Sequence, residues 1–519
     1  MMNLNTFPNM TENNVHRFIT VLSIFIACWV IYIQKGWVSV DSLLYFEVAR
    51  LFSMGEWQAG IAHYSLPLYP LLIAGLHDIT TLDFQLCAQI LTVIFFAITT
   101  YSLLRIVLLA GGDKLALMLA ALLLFSTTYI VGDVLPMLVR DQGFWAFLLA
   151  ALVYFIKYYR HHNTKDAIYW QLFALIAMLF RIEAATFIAL LPLALLYMPG
   201  VKTGQKIRYL FTAYALNIAL VICLIFALFL HGSINLKQLG RLNEIVNSFT
   251  EIQRNFSVEI TAKASAMAKD VLGEPLAGFA WMGLLMALIS IAAIKCLTVA
   301  NILPLLLAGV GYNKLKQNMA DDVRYLVMAT ALIVFLNAVL IIFKVNLLSS
   351  RYVIIFGFML IILATFAAHA MINGIKFKQL SILNKVVAII ALLIIIWGII
   401  SNIRPKNEGY NYEQEAVTYV KGLTSDQGEK VFYTSRRARY YARESYIRPE
   451  PPNQWDFLQL AITDKSIYRY DYLAINLNAD EVSAGKEQVL AKQLPQYKLI
   501  HTTYGFKKKK RVLIYKKVN

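Results

Sequence analysis

Apolar runs long enough to cross a bilayer, roughly 17–25 residues each, recur along this sequence, and they leave the chain few ways to fold. They lie at about 18–33, 84–109, 115–132, 142–159, 167–180, 183–198, 208–231, 276–295, 324–347, 352–372 and 385–404, about eleven in all. In hydrocarbon every backbone N–H and C=O must be paired within the protein, so runs of this kind predict helices. The composition agrees: 59% of residues are hydrophobic and 15% charged, where a soluble domain has about 25% charged. The first run lacks a small-residue cleavage site and reads as a signal anchor. The runs 167–180 and 183–198 are short and are expected to meet near Arg181 without a full loop.

The net charge of +17 comes largely from Lys and Arg in short connections, at 157–162, 202–208, 314–316 and 376–385. That clustering is the signature of cytoplasmic loops, and it argues against nucleic acid as a partner. Alternation then places 34–83, 133–141, 232–275 and everything after about 405 outside. The apolar stretch 297–312, with Pro304, reads as part of a long or broken cytoplasmic end. Cys28, Cys87, Cys223 and Cys296 lie in or beside apolar runs and form no CxxC pair, which predicts neither a disulfide framework nor structural zinc.

From about 405 the composition becomes that of a soluble domain. Residues 430–434, 470–475, 497–502 and 512–515 read as strands, and 413–421 and 481–494 as helices. The expected fold is therefore an all-α polytopic membrane domain over 1–404 and a small extracytoplasmic α/β domain over 405–519. The basic run 507–511 reads as a solvated turn between two strands.

Several segments carry residues suited to chemistry. Asp41 follows the first run, with Tyr45 one helical turn later; an Asp at that place is also an ordinary N-cap. His63-Tyr64 precedes Ser65-Leu66-Pro67-Leu68-Tyr69-Pro70, which reads as a helix on the membrane surface whose aromatic residues can serve as interfacial anchors. His63 can act as a base or as a simple hydrogen-bonding group. Arg140-Asp141 opens the fourth run, and Arg351-Tyr352 opens the tenth. Arg181-Ile182-Glu183 has apolar residues on both sides. Ionisable groups there are costly unless they face a cavity or each other, so they mark either a site or an internal ion pair. Under this topology Asp41, Tyr45, Asp141, Arg181, Glu183 and Arg351 gather at one membrane face. Carboxylates can take a proton from a sugar acceptor, and guanidinium groups can stabilise a departing phosphate.

In this order the segments resemble the GT-C class of membrane glycosyltransferases. Bacterial relatives of the protein O-mannosyltransferases and lipid A aminoarabinose transferases (glycosyltransferase family 39) look nearest, over about residues 18–375. The resemblance rests on Asp41, Tyr45 and Ala49, on Leu66 to Gly75, and on Arg140-Asp141, Arg181-Ile182-Glu183 and Arg351-Tyr352. It implies that Asp41 is the catalytic carboxylate, Asp141 a second site residue, Arg181 the contact to a lipid-linked phosphate, and Tyr45 part of the site wall. Some members of the class use a divalent metal, which Asp41 and Asp141 would share. Two departures stand out. Ser65-Leu66-Pro67 replaces the Lys-Pro-Pro of aminoarabinose transferases, and Ser42 follows Asp41 where O-mannosyltransferases carry an acidic pair. Neither subfamily's acceptor therefore transfers to this chain.

The expected activity is transfer of a sugar from a polyprenyl-phosphate donor to an extracytoplasmic lipid, polysaccharide or protein, with inversion. Asp41 is the expected base, Arg181 with Arg351 or Arg140 the phosphate clamp, and Tyr45, His63, Tyr64, Glu183 and Tyr352 further substrate-binding residues. The expected location is the plasma (inner) membrane, among its lipids, with the loop 232–275 gating access. A transporter or flippase of lipid-linked sugars is the alternative, and a non-catalytic scaffold the third reading.

Overall fold

The computed structural model describes residues 11–230, 250–251, 253–372, 382–405, 409–424, 428–444 and 453–518. The chain divides into two units, Met1–Val30 with Gly55–Ile403 and Ile31–Met54 with Arg404–Asn519. The segment Ile31–Met54, which the sequence assigns to the membrane domain, thus groups with the C-terminal domain.

The first unit is helical. Among the described residues six helices are long and apolar enough to cross a membrane: Glu12–Tyr32, Phe84–Leu109, Thr203–Cys223, Glu274–Thr298, Asp321–Val345 and Ser350–Ile372. A seventh is bent, with Lys114–Phe125 and Thr128–Met137 meeting at 52°. This fits a multi-pass membrane protein. It falls short of the eleven runs read from sequence. Asp141–His161 starts on Asp141-Gln142 and ends on Arg160-His161, so its apolar body is shorter than the helix. Thr164–Phe180 has only 17 residues, and Ala184–Tyr197 and Ala388–Ile403 are shorter still.

Three of the basic connections gather at one end of the bundle. Arg160 pairs with Asp322, the Tyr158 hydroxyl donates to the Tyr209 carbonyl, and Arg324 donates to the Lys316 carbonyl. Of the fourth basic connection, 376–381 lies outside the described residues.

The course of 250–320 departs from simple alternation. Asn255 donates to the Lys344 carbonyl and Asn346 to the Glu259 carboxylate, while Lys295 donates to Ser350 Oγ at 3.2 Å. The stretch between Asn255 and Lys295 therefore leaves and regains the same end of the bundle. The stretch 297–312 does not stay at that end. Val299 and Ala300 sit against Gly357, and Gly311 sits against Ala367, each so close that an added Cβ would lie 3.0 Å or less from a neighbouring atom. The Ala320 N–H then donates to the Ala110 carbonyl at the opposite end. Residues 302–318 thus run beside Ile354–Ile372 and in its direction. Small residues bring the two together, as is usual where lipid supplies no hydrophobic drive between helices.

Irregular backbone inside such a bundle needs partners, and the bend after Phe125 has them. The buried Asn402 amide donates to the Phe125 carbonyl at 2.8 Å and the Thr127 carbonyl at 3.3 Å. Asn301, at φ 65°, donates to the Ser126 carbonyl at 3.1 Å.

In the second unit four strands, β1 (Val431–Tyr433), β2 (Tyr472–Leu477), β3 (Tyr497–Tyr504) and β4 (Arg511–Lys517), form a sheet in the order β1-β2-β4-β3. β1 and β2 are parallel and the other pairs antiparallel. Period-two alternation sends Leu473, Ile475 and Leu513 into one buried cluster and Tyr472, Ala474 and Ile514 into another, so both faces of the central strands are covered. The helix expected at 481–494 is two, Ala479–Ser483 and Lys486–Gln493, because Gly485 between them takes φ 68°, a conformation few other residues tolerate. The helices Arg436–Ala442 and Gln454–Thr463 have no counterpart in the sequence reading.

Asn402→Ala removes the donor that meets two carbonyls of the bend, those of Phe125 and Thr127. It is expected to lower stability by about 1–3 kcal/mol, read as a lower unfolding temperature in detergent.

Candidate functional site

In the first unit the site residues come together where two helices end. Leu138, at φ 54° and ψ 52°, turns the chain so that Asp141 becomes the first residue of Asp141–His161. Its carboxylate then lies at the positive end of the helix. Helix Thr164–Phe180 stops where Arg181 turns extended, at φ −145° and ψ 125°. Gly143 lets the two helix ends meet: a Cβ there would stand 2.3 Å from the Phe180 ring. The residue after Phe180 is thereby delivered to Asp141.

Arg181 is buried, at 4% exposure, and its guanidinium is met from two sides. One terminal nitrogen pairs with Asp141. The other donates to Glu183 Oε1 at 2.7 Å, and Nε donates to Glu183 Oε2 at 3.3 Å. The Tyr352 ring lies under the guanidinium, 4.2 Å away. Asn337 donates to the Glu183 carbonyl at 3.3 Å and to Thr186 Oγ1 at 2.6 Å, which holds the short link 181–183 against helix Asp321–Val345.

Around this triad stand further charges. The Arg140 guanidinium lies 5.5 Å from the centre of the Tyr64 ring and within electrostatic reach of Glu183. Tyr129 lies within electrostatic reach of both Arg351 and Asp141. The sequence-selected Tyr64, Arg140, Asp141, Arg181, Glu183, Arg351 and Tyr352 thus form one neighbourhood. His63 does not join it: it is exposed at the end of helix Trp57–His63. Lys295, Asn337 and Tyr129 were not selected. The first two carry a legible signal, a lone polar residue in or at the end of an apolar run.

Asp41 and Tyr45 belong to the second unit. Asp41 is exposed in the first turn of helix Val40–Ser53, but it is not the cap. Ser39 takes that place, its hydroxyl accepting from the Ser42 N–H at 3.2 Å. Tyr45 is buried. The C-terminal domain holds this segment. The Tyr441 hydroxyl accepts from the Val38 N–H at 3.1 Å and donates to the Gly36 carbonyl at 3.3 Å. Asn411 donates to the Gln34 and Lys35 carbonyls, each at 3.2 Å, and Phe46 packs on Tyr440 with ring centres 5.9 Å apart.

Among the described residues no three His, Cys, Asp or Glu side chains gather as a ligand set for a metal ion. Asp141 and Glu183 converge on a guanidinium that already supplies the positive charge a metal would bring.

The sequence matches no protein-family model and no curated protein.

Arg181→Met leaves two buried carboxylates without their counter-charge and is expected to cost about 3–5 kcal/mol of stability. Gly143→Ala forces a methyl into the Phe180 ring and is expected to cost about 1–3 kcal/mol. Thermal unfolding of the detergent-solubilised protein measures both.

Proposed function

We propose that this chain is a membrane glycosyltransferase of GT-C type. It moves a sugar from a polyprenyl-phosphate donor to an extracytoplasmic acceptor, at the outer face of the plasma membrane. One observation supports this most: the charge balance of the neighbourhood around Arg181. Three guanidinium groups, Arg140, Arg181 and Arg351, stand against two carboxylates, Asp141 and Glu183, at the ends of apolar helices. Lys295 adds a further positive charge beside Ser350. Guanidinium groups next to apolar surface suit a phosphate carried on a lipid.

The reaction follows from these charges. The acceptor hydroxyl or amine attacks the anomeric carbon, and the bond from that carbon to the phosphate oxygen breaks with its electron pair. The configuration inverts and polyprenyl phosphate leaves. Arg351 and Arg140 balance its charge together with Arg181, two of whose five N–H donors are not used by Asp141 or Glu183. Asp41 accepts the proton that the acceptor loses. Tyr64 and Tyr352 shape the walls around the arginines, and Glu183 and Asp141 fix the guanidinium in place. No step requires a metal.

A flippase for lipid-linked sugar is the second reading. The bend between Lys114–Phe125 and Thr128–Met137 favours it, since broken helices often line transport sites.

Asp41→Asn keeps the size of the side chain and removes the base. The variant is expected to insert and fold as the native chain does, and to lose transfer by about 100-fold or more, read as polyprenyl phosphate released from a polyprenyl-phosphate sugar. Undiminished release would remove Asp41 from the chemistry.

A further inference from the structure

The second unit contains a cavity that the reading above leaves unused. Its volume is about 730 Å³, within the roughly 300–1,000 Å³ of small-molecule sites and far more than a single ion needs. It opens beside the C-terminal ends of the parallel strands β1 and β2, where open α/β sheets commonly hold ligands. β1 runs into Ser435 and β2 into Asn478, and both residues line the cavity.

A fixed polar network forms its base. Glu413 is buried. Its carboxylate pairs with Arg437 and accepts from Ser435 Oγ at 2.5 Å and Asn476 Nδ2 at 3.2 Å. Burial opposes the charge on Arg437, but the Glu413 carboxylate outweighs it and raises the arginine's pKa. The Tyr412 hydroxyl donates to Asn476 Oδ1 at 3.1 Å. These partners hold the amide and hydroxyls rigid before any ligand arrives.

The rim supplies donors. The side-chain oxygens of Asn453 and Asn478 cap helices, accepting from the Trp455 and Glu481 N–H groups. Each amide nitrogen carries two N–H donors. Gln454 adds a third amide. Amides and hydroxyls spaced around a cleft match the adjacent hydroxyl groups of a saccharide. Among the described lining residues Arg436, Arg437 and Lys510 are basic and Glu413 alone is acidic. The cavity also reaches Val40, the residue before Asp41, within the same unit.

We propose that this cavity binds the acceptor, and that the acceptor is an acidic saccharide. Its hydroxyls face the amides, and its carboxylate or phosphate group faces Arg436 and Lys510. The name acceptor rests on the transferase reading; the binding itself does not.

The test uses the full chain in detergent micelles, with no donor present. Binding is measured by calorimetry for three probes: a uronic-acid disaccharide, a disaccharide phosphate, and the neutral disaccharide of the same linkage. At least one acidic probe is expected to bind ten-fold or more tightly than the neutral one, and which acidic probe wins identifies the anionic group. Arg436→Gln with Lys510→Gln should abolish that preference, while Arg436→Lys with Lys510→Arg should restore it. Both residues are exposed, so folding is checked by an unchanged unfolding temperature. Equal binding of neutral and acidic probes, binding of none, or inorganic phosphate binding as tightly as the saccharides would overturn the proposal. Sugar transfer by a chain that binds none of the probes defeats this proposal alone. Saccharide binding by a chain that cleaves no donor defeats the transferase reading alone.

Discussion

A guanidinium group cannot rest among apolar helices unless its charge is met, because desolvation costs several kcal/mol. Arg181 is met by Asp141 from one helix start and by Glu183 from the next. Much of the local architecture serves that encounter. The left-handed turn at Leu138 sets the start of Asp141–His161. The missing side chain at Gly143 admits Phe180, and Asn337 ties down the link after Arg181. A buried ion triad of this kind adds little net stability. It does fix geometry: three helices have one register in which the charges pair. The same triad keeps a guanidinium in place beside apolar surface with further arginines around it, as the proposed lipid-phosphate donor would require.

The second unit shows the same economy with different means. The helix that carries Asp41 and Tyr45 is short, and its start is held by Tyr441, Asn411 and Tyr440 of the C-terminal domain. Residues after 404 therefore hold the segment that carries Asp41. The cavity of this unit reaches Val40, the residue before Asp41.

The parts legible in the sequence were those with a strong local cause. Arg181 and Glu183 stand out because charges flanked by apolar residues need a partner, and period-two alternation points to strands at 470–475 and 512–515, which form at Tyr472–Leu477 and Arg511–Lys517. Other features depend on distant residues and left no local mark. Tyr441 meets Val38 across 403 positions of sequence. The Asp41 cap expectation failed because Ser39, two residues earlier, reaches the Ser42 N–H instead; both residue types cap well, and only the backbone decides between them. The path of 302–318 was hidden because Asn301 and Gly311 break the run into pieces too short to read as a span. Close contacts at Gly357 and Ala367 reveal its course.

Transfer and transport make opposite demands on the carbon–phosphate linkage, so its fate decides between them. The protein is reconstituted in vesicles with a polyprenyl-phosphate sugar bearing one label on the sugar and another on the phosphate, and with an acidic saccharide as acceptor. Transfer predicts that the labels part, the sugar label moving to the saccharide while the phosphate label stays with the lipid. Both labels crossing the bilayer on an intact donor would contradict it.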